Sequence, residues 1–209
     1  MTSLAPAQRR LVLADLALPT GAVARAALNV VLVLAGTALV AGLAQLVIPM
    51  YPVPFTGQTL GVLLVGAALG PLRGAASLGL YLVLGLVGLP VYAPQADGSH
   101  LTGATALAAP SFGYLVGFVV AATIVGFLSR LAWDRNVLKM VLSFAIGSLV
   151  IYAFGVGGLM ISLGLSFPQA LMIGVVPFLI GDAIKALIAA GLLPGSWKLI
   201  SLAEKKTRG

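Results

Sequence analysis

The sequence predicts an all-α, polytopic membrane protein with six transmembrane helices and both termini in the cytoplasm. Three observations carry that expectation. Of its 209 residues, 60% are hydrophobic and 8% charged, with a mean hydropathy of +1.13. A soluble domain carries about 25% charged residues, so this chain has too little polar surface to face water. Long charge-free runs cover residues 26–72, 74–96, 101–129 and 140–181, and one span takes about 20 apolar residues. The basic residues gather in alternate gaps between the predicted helices, as the preference for cytoplasmic Lys and Arg requires.

Residues 1–25 read as a cytoplasmic tail with a short interfacial helix at Leu11-Val12-Leu13. Arg9, Arg10, Asp15 and Arg25 interrupt this stretch, unlike the apolar segment of a secretory signal. The membrane domain is expected over 26–203. Pro49, Pro52 and Pro54 end the first helix near Val47, since each lacks an N–H and disfavours helix in the residue before it. A second helix starts at Thr56 or Gly57 and stops at Gly70-Pro71. At roughly 14 residues it spans about 21 Å, short of about 30 Å of hydrocarbon. The proline loop before it is therefore expected to dip into the protein, where irregular backbone finds partners.

The third helix covers 73–87 and ends at Gly88-Leu89-Pro90. Gln95, Asp97, Gly98, Ser99 and His100 make 92–110 a polar, aqueous loop, with His100 a solvated loop residue. The fourth helix covers 111–131. The fifth covers 137–154 and is ended by Gly155-Val156-Gly157-Gly158. Ser166 or Phe167 caps a short helix with Pro168 in its first turn. Pro177 breaks that helix, and the sixth runs to about Leu202, which sets Trp197 and Lys198 at a membrane interface. Residues 204–209 form a basic tail. Six helices bring both ends to one side. That side receives every Lys and Arg of the 12 except Lys185, while loops 49–56, 92–111 and 155–168 receive none.

The net charge of +7 does not point to nucleic acid, because the basic residues lie between apolar runs and set topology. With no cysteine, disulfides, thiolate metal sites and a cysteine nucleophile are excluded. His100 is the lone histidine, so no zinc site is expected. No second carboxylate lies in an apolar segment for paired-acid chemistry. The glycine run at 155–158 lacks the Lys-Ser/Thr of a nucleotide loop. The chain reads as a non-enzyme without cofactor, whose transport would draw on another subunit's ATPase or on an ion gradient. An enzyme acting on lipid head groups would need more intramembrane polar residues than this chain offers.

Asp182 and Lys185 are the only charged residues between Met140 and Trp197. Their i, i+3 spacing puts them on one helical face. Charge at membrane depth is costly and usually meets a partner, a cavity or a substrate path. The pair is either a structural tie or a polar clamp in an apolar pocket, an acceptor beside a donor. Tyr51, Phe55, Tyr92, Phe112, Tyr114 and Phe178 fall at the outer helix ends and either anchor the interface or wall that pocket. Ala38 and Gly42 in the first helix have the small-xxx-small spacing that admits another helix closely, inside the bundle or on a partner.

Several segments resemble the BioY family. They are Tyr51-Pro52-Val53-Pro54-Phe55-Thr56-Gly57-Gln58-Thr59-Leu60-Gly61, Leu69-Gly70-Pro71-Leu72-Arg73-Gly74, Leu86-Val87-Gly88-Leu89-Pro90-Val91-Tyr92, Gly113-Tyr114-Leu115-Val116-Gly117-Phe118 and Pro177-Phe178-Leu179-Ile180-Gly181-Asp182 with Lys185. The resemblance covers roughly residues 28–200. It implies a biotin-binding S component of an energy-coupling factor (ECF) transporter in a bacterial or archaeal membrane. Biotin would bind near the outer face under a lid at 51–58, which includes Thr56 and Gln58, with Asp182 and Lys185 on the ligand. The partners implied are a transmembrane coupling subunit and two ATPases, docked in part through Ala38 and Gly42. Self-association stays open. Asp182 would accept from the ureido ring, while Lys185 meets the ureido carbonyl or the valerate. Phe112 stands where the family has Gly, and Ile180 where it has Pro; an altered pocket would suit another vitamin-like substrate instead.

Overall fold

The computed structural model describes residues 11–208. A 3-10 turn at Leu13–Ala17 precedes helix α1 (Ala22–Ala44). Strands β1 (Val47–Ile48) and β2 (Phe55–Thr56) follow, then α2 (Gln58–Leu69) and α3 (Pro71–Leu86). After them come α4 (Gly103–Leu107), α5 (Phe112–Arg130), α6 (Val137–Leu163), α7 (Phe167–Gly174) and α8 (Leu179–Arg208). Among the described residues, four helical stretches are long and apolar enough to cross a membrane: Ala22–Ala44, Phe112–Arg130, Val137–Leu163 and the one containing α7 and α8. The two shorter apolar helices, α2 and α3, complete a mostly helical, multi-pass membrane fold.

The proline loop forms a small hairpin. Val47 pairs with Thr56 and Ile48 with Phe55, so the three prolines lie between the paired residues, where no ladder N–H is required. Gly70 joins α2 to α3 in one residue with φ 82°, a conformation closed to most side chains, and Pro71 opens α3 at its first turn. The third helix thus starts two residues earlier than its sequence suggests. Its neighbour α2 has 12 residues, about 18 Å of rise. It is the central helix of the bundle, with Val62, Leu63, Val65 and Ala67 all buried.

Small residues bring the helices together. A Cβ on Gly66 would sit 2.9 Å from the Ala122 Cα, one on Gly74 3.1 Å from the Gly66 Cα, and one on Gly158 3.0 Å from the Gly113 Cα. In lipid, where apolar burial gives little drive, the van der Waals packing that such close backbone approach allows helps to hold helices together. This corrects the expected end of the fifth helix. α6 runs straight through Gly155–Gly158 and stops at Gly164, whose φ is 64°. Gly155 and Gly158 make room for neighbours, Gly157 faces open space, and none of the three breaks the helix.

The short capped helix before Pro177 is present. The Ser166 N–H and hydroxyl both donate to Gln169 Oε1, at 3.0 and 2.8 Å. The chain then turns at Val175 (φ −127°, ψ −55°) and passes through a 3-10 turn at Val176–Phe178 into α8, which extends beyond its expected end to Arg208.

The basic ends of the helices are tied together. Asp15 pairs with Arg73, and Val12 is fully buried against Gly70. The expected interfacial helix at Leu11-Val12-Leu13 is therefore a packed strap that enters its 3-10 turn at Leu13. Arg135 donates to the Leu11 carbonyl at 3.1 Å and lies 4.0 Å over the Trp197 ring. The Trp197 indole donates to Asp134 Oδ2 at 2.6 Å. Burial pushes the Asp134 carboxyl up to about 6, against the smaller downward pulls of the indole and of Arg135.

Candidate functional site

A cavity opens between the hairpin, the 92–111 loop, α5, α6 and α8. Its wall is largely apolar, with Val53, Ala106, Leu115, Phe118, Ile151 and Phe178. Its charged floor is Asp182 and Lys185, placed side by side by the first turns of α8. Lys185 Nζ donates to Asp182 Oδ1 at 2.9 Å, and the two side chains are 12% and 10% exposed. The pair is desolvated yet reachable from the cavity.

Two residues the sequence reading missed complete this floor. The Thr59 hydroxyl accepts from Lys185 at 2.6 Å and donates to Asp182 Oδ1 at 3.2 Å. The Tyr152 hydroxyl donates to Asp182 Oδ2 at 2.6 Å. A tyrosine in the middle of a charge-free helical run was the available signal, since its hydroxyl needs a partner at that depth. Gln95 and Ser111 also line the cavity.

The predicted residues take different places. Tyr114 and Tyr92 line the cavity as walls, their hydroxyls turned to backbone: Tyr114 donates to the Gly174 carbonyl at 2.7 Å and Tyr92 to Leu82 at 2.5 Å. Burial holds the Tyr92 phenol up at about 12, so it stays a neutral donor. Thr56 and Gln58 line the cavity but bond inward. Thr56 donates to Gln58 Oε1 at 2.9 Å, and Gln58 Nε2 to Tyr81 at 2.6 Å. Phe178 is on the wall and stacks on Phe55, with ring centroids 6.0 Å apart. Phe55 sits behind the wall with Lys185 Nζ 4.3 Å from its ring centroid. Tyr51 is 84% exposed at the hairpin tip and does not reach the cavity. Neither Phe112 nor Ile180 lines it; Ile180 is 79% exposed and faces outward.

Three glycines give the aromatic rings their sockets. A side chain at Gly85 would occupy the Tyr92 ring position, one at Gly155 the Tyr114 ring, and one at Gly181 the Phe55 ring. His100 is not a free solvated residue, as its polar loop suggested. Its Nδ1 lies 2.8 Å from the Tyr92 carbonyl, which fixes that nitrogen as the donor and clips the loop to the cavity rim.

The BioY family pattern matches residues 15–202. This chain belongs to the BioY family. It is 37% identical over 146 residues to the biotin transporter BioY of Rhizobium etli, covering 66% of this chain and 75% of that one. It is 36% identical over 155 residues to the biotin transporter BioY of Thermotoga maritima, covering 74% and 86%. Among solved structures, the S-component for biotin from an ECF-type ABC transporter superposes with a TM-score of 0.72 at 26% identity, over 83% of this chain and 93% of that one. The match to BioY proteins spans the hairpin, the cavity and α8 together.

Proposed function

We propose that this chain is the biotin-binding S component of an ECF transporter. It captures biotin in the cavity beneath the hairpin and delivers it with a transmembrane coupling subunit and ATPases. The observation that carries the reading is the desolvated Asp182–Lys185 pair on the floor of an apolar cavity in a BioY-family chain. Biotin's apolar bicycle suits the aromatic and aliphatic wall. Its ureido ring offers an N–H to Asp182 and a carbonyl to Lys185. A buried pair of this kind is weak as a source of stability, whereas an acceptor and a donor held at fixed spacing recognise a polar ring well.

The topology proposed with it has six crossings, by α1, α2, α3, α5, α6 and α8, and both termini in the cytoplasm. The near-complete segregation of basic residues supports this. The coupling subunit is proposed to pack on α1 at Ala38 and Gly42. Both are exposed on the outer face of α1, and a Cβ on Gly42 would meet nothing within 4 Å.

Calorimetric titration of the purified full chain with biotin tests the function. The parent is expected to bind, and Asp182→Asn and Lys185→Ala each to weaken binding by tenfold or more, as loss of a charge-assisted hydrogen bond of about 1.5–3 kcal/mol implies. Unchanged binding in both variants refutes the site. Tighter binding of another vitamin in the same titration refutes the substrate.

A further inference from the structure

The Asp182–Lys185 pair has more partners than an ion pair needs, and counting them shows what is left for a ligand. An ionised carboxylate offers about four lone-pair positions. On Asp182, Oδ1 accepts from Lys185 at 2.9 Å and from Thr59 at 3.2 Å, and Oδ2 accepts from Tyr152 at 2.6 Å. One position remains, on Oδ2. A lysine ammonium offers three N–H groups. One goes to Asp182 and one to Thr59 Oγ1 at 2.6 Å, which leaves one with no hydrogen-bond acceptor, the Phe55 ring centroid lying 4.3 Å from Nζ. Both residues line the cavity, so it is offered a single acceptor beside a single donor.

We propose that Thr59 and Tyr152 are positioning residues that set specificity. By filling the other positions and fixing the spacing of the two charges, they hold the pair to reading one N–H/C=O edge of a cyclic urea; the second N–H, on the far side of the carbonyl, lies out of reach of the same carboxylate. Thr59 has the larger part, because its hydroxyl bridges both charges and fixes their spacing. Tyr152 holds Oδ2 from the α6 side. This inference rests on the biotin reading above.

The test uses the full-length protein in detergent or nanodiscs. Calorimetry compares biotin with two cyclic carbamate analogues, each carrying a ring oxygen in place of one ureido N–H. One analogue is expected to bind at least about tenfold more weakly than the other, the loss of one hydrogen bond to a charged group. Thr59→Val and Tyr152→Phe should each shrink that ratio, because each releases the pair from the fixed spacing that favours one edge. Thr59→Ser should keep it. A general packing defect would weaken all three ligands alike and leave the ratio unmoved. Equal binding of the two analogues by a parent that binds biotin overturns the proposal, as does a ratio unaffected by Thr59→Val and Tyr152→Phe. A parent that binds no biotin overturns the substrate reading, and this one with it.

Discussion

Replacing Gly181 with Ala puts a methyl group where the Phe55 ring now lies. The ring has two responses. If it stays, overpacking strains the α8–hairpin contact by about 1–3 kcal/mol. If it moves, the stack on Phe178 is lost, about 0.5–1.5 kcal/mol. The contact with Lys185, 4.3 Å from the ring centroid, is lost as well, about 0.5–2 kcal/mol. These outcomes are alternatives, so either route costs about 1–3 kcal/mol, or roughly 5- to 150-fold where the loss falls on ligand binding. The assay is a double-mutant cycle of Gly181→Ala with Phe55→Leu, reading denaturant unfolding in detergent and biotin affinity. Phe55→Leu already lacks the ring contacts, so Gly181→Ala should cost little in that background. A coupling of about 1 kcal/mol or more is expected; distant, independent sites add within about 0.3–0.5 kcal/mol. Strict additivity, or a Gly181→Ala variant that matches the parent, would refute the idea that Gly181 exists to seat the ring.

Asp134 carries a pH signature. Its carboxyl is held up to about 6 in the folded chain, against roughly 4 unfolded, so the native state keeps the proton longer. Stability contributed by this group therefore falls as pH rises from about 4 to about 6 and is level above that. Relative to the parent, Asp134→Asn should gain stability through that window, since an Asn oxygen still accepts from Trp197; melting curves across pH 4–7.5 should show the parent losing ground, and the opposite slope would contradict it. At Gly155, an Ala should push the Tyr114 ring from its socket and break its bond to the Gly174 carbonyl, at a cost of about 1–3 kcal/mol. Thermal unfolding should show this loss largely relieved by Tyr114→Leu, and a Gly155→Ala variant as stable as the parent would remove the socket argument.

The extent to which the sequence was legible differs by length scale. Mean hydropathy, charge-free runs and the distribution of Lys and Arg are properties of whole segments, so they survive any detail of packing. The break at Pro177 and the capped helix from Phe167 were readable because proline and capping residues act on their own backbone. Glycine was not readable in the same way. At Gly70 and Gly164 it permits a positive φ, while at Gly155 and Gly158 it yields space to another helix, and only the neighbour's position tells which. The hairpin escaped notice because three prolines hid two short paired segments.

What the sequence settled alone was the membrane environment, the family and the lone intramembrane charges Asp182 and Lys185, since charge in an apolar run stands out without coordinates. Tertiary structure decided which groups meet that pair. Thr59 lies 123 residues before Asp182 and Tyr152 lies 30 before it, on helices whose rotation follows from side-chain packing across the bundle. It also decided that Tyr92 and Tyr114 turn their hydroxyls to backbone and that Tyr51 stays outside, because a residue's orientation is a property of its neighbours and not of its own chemistry.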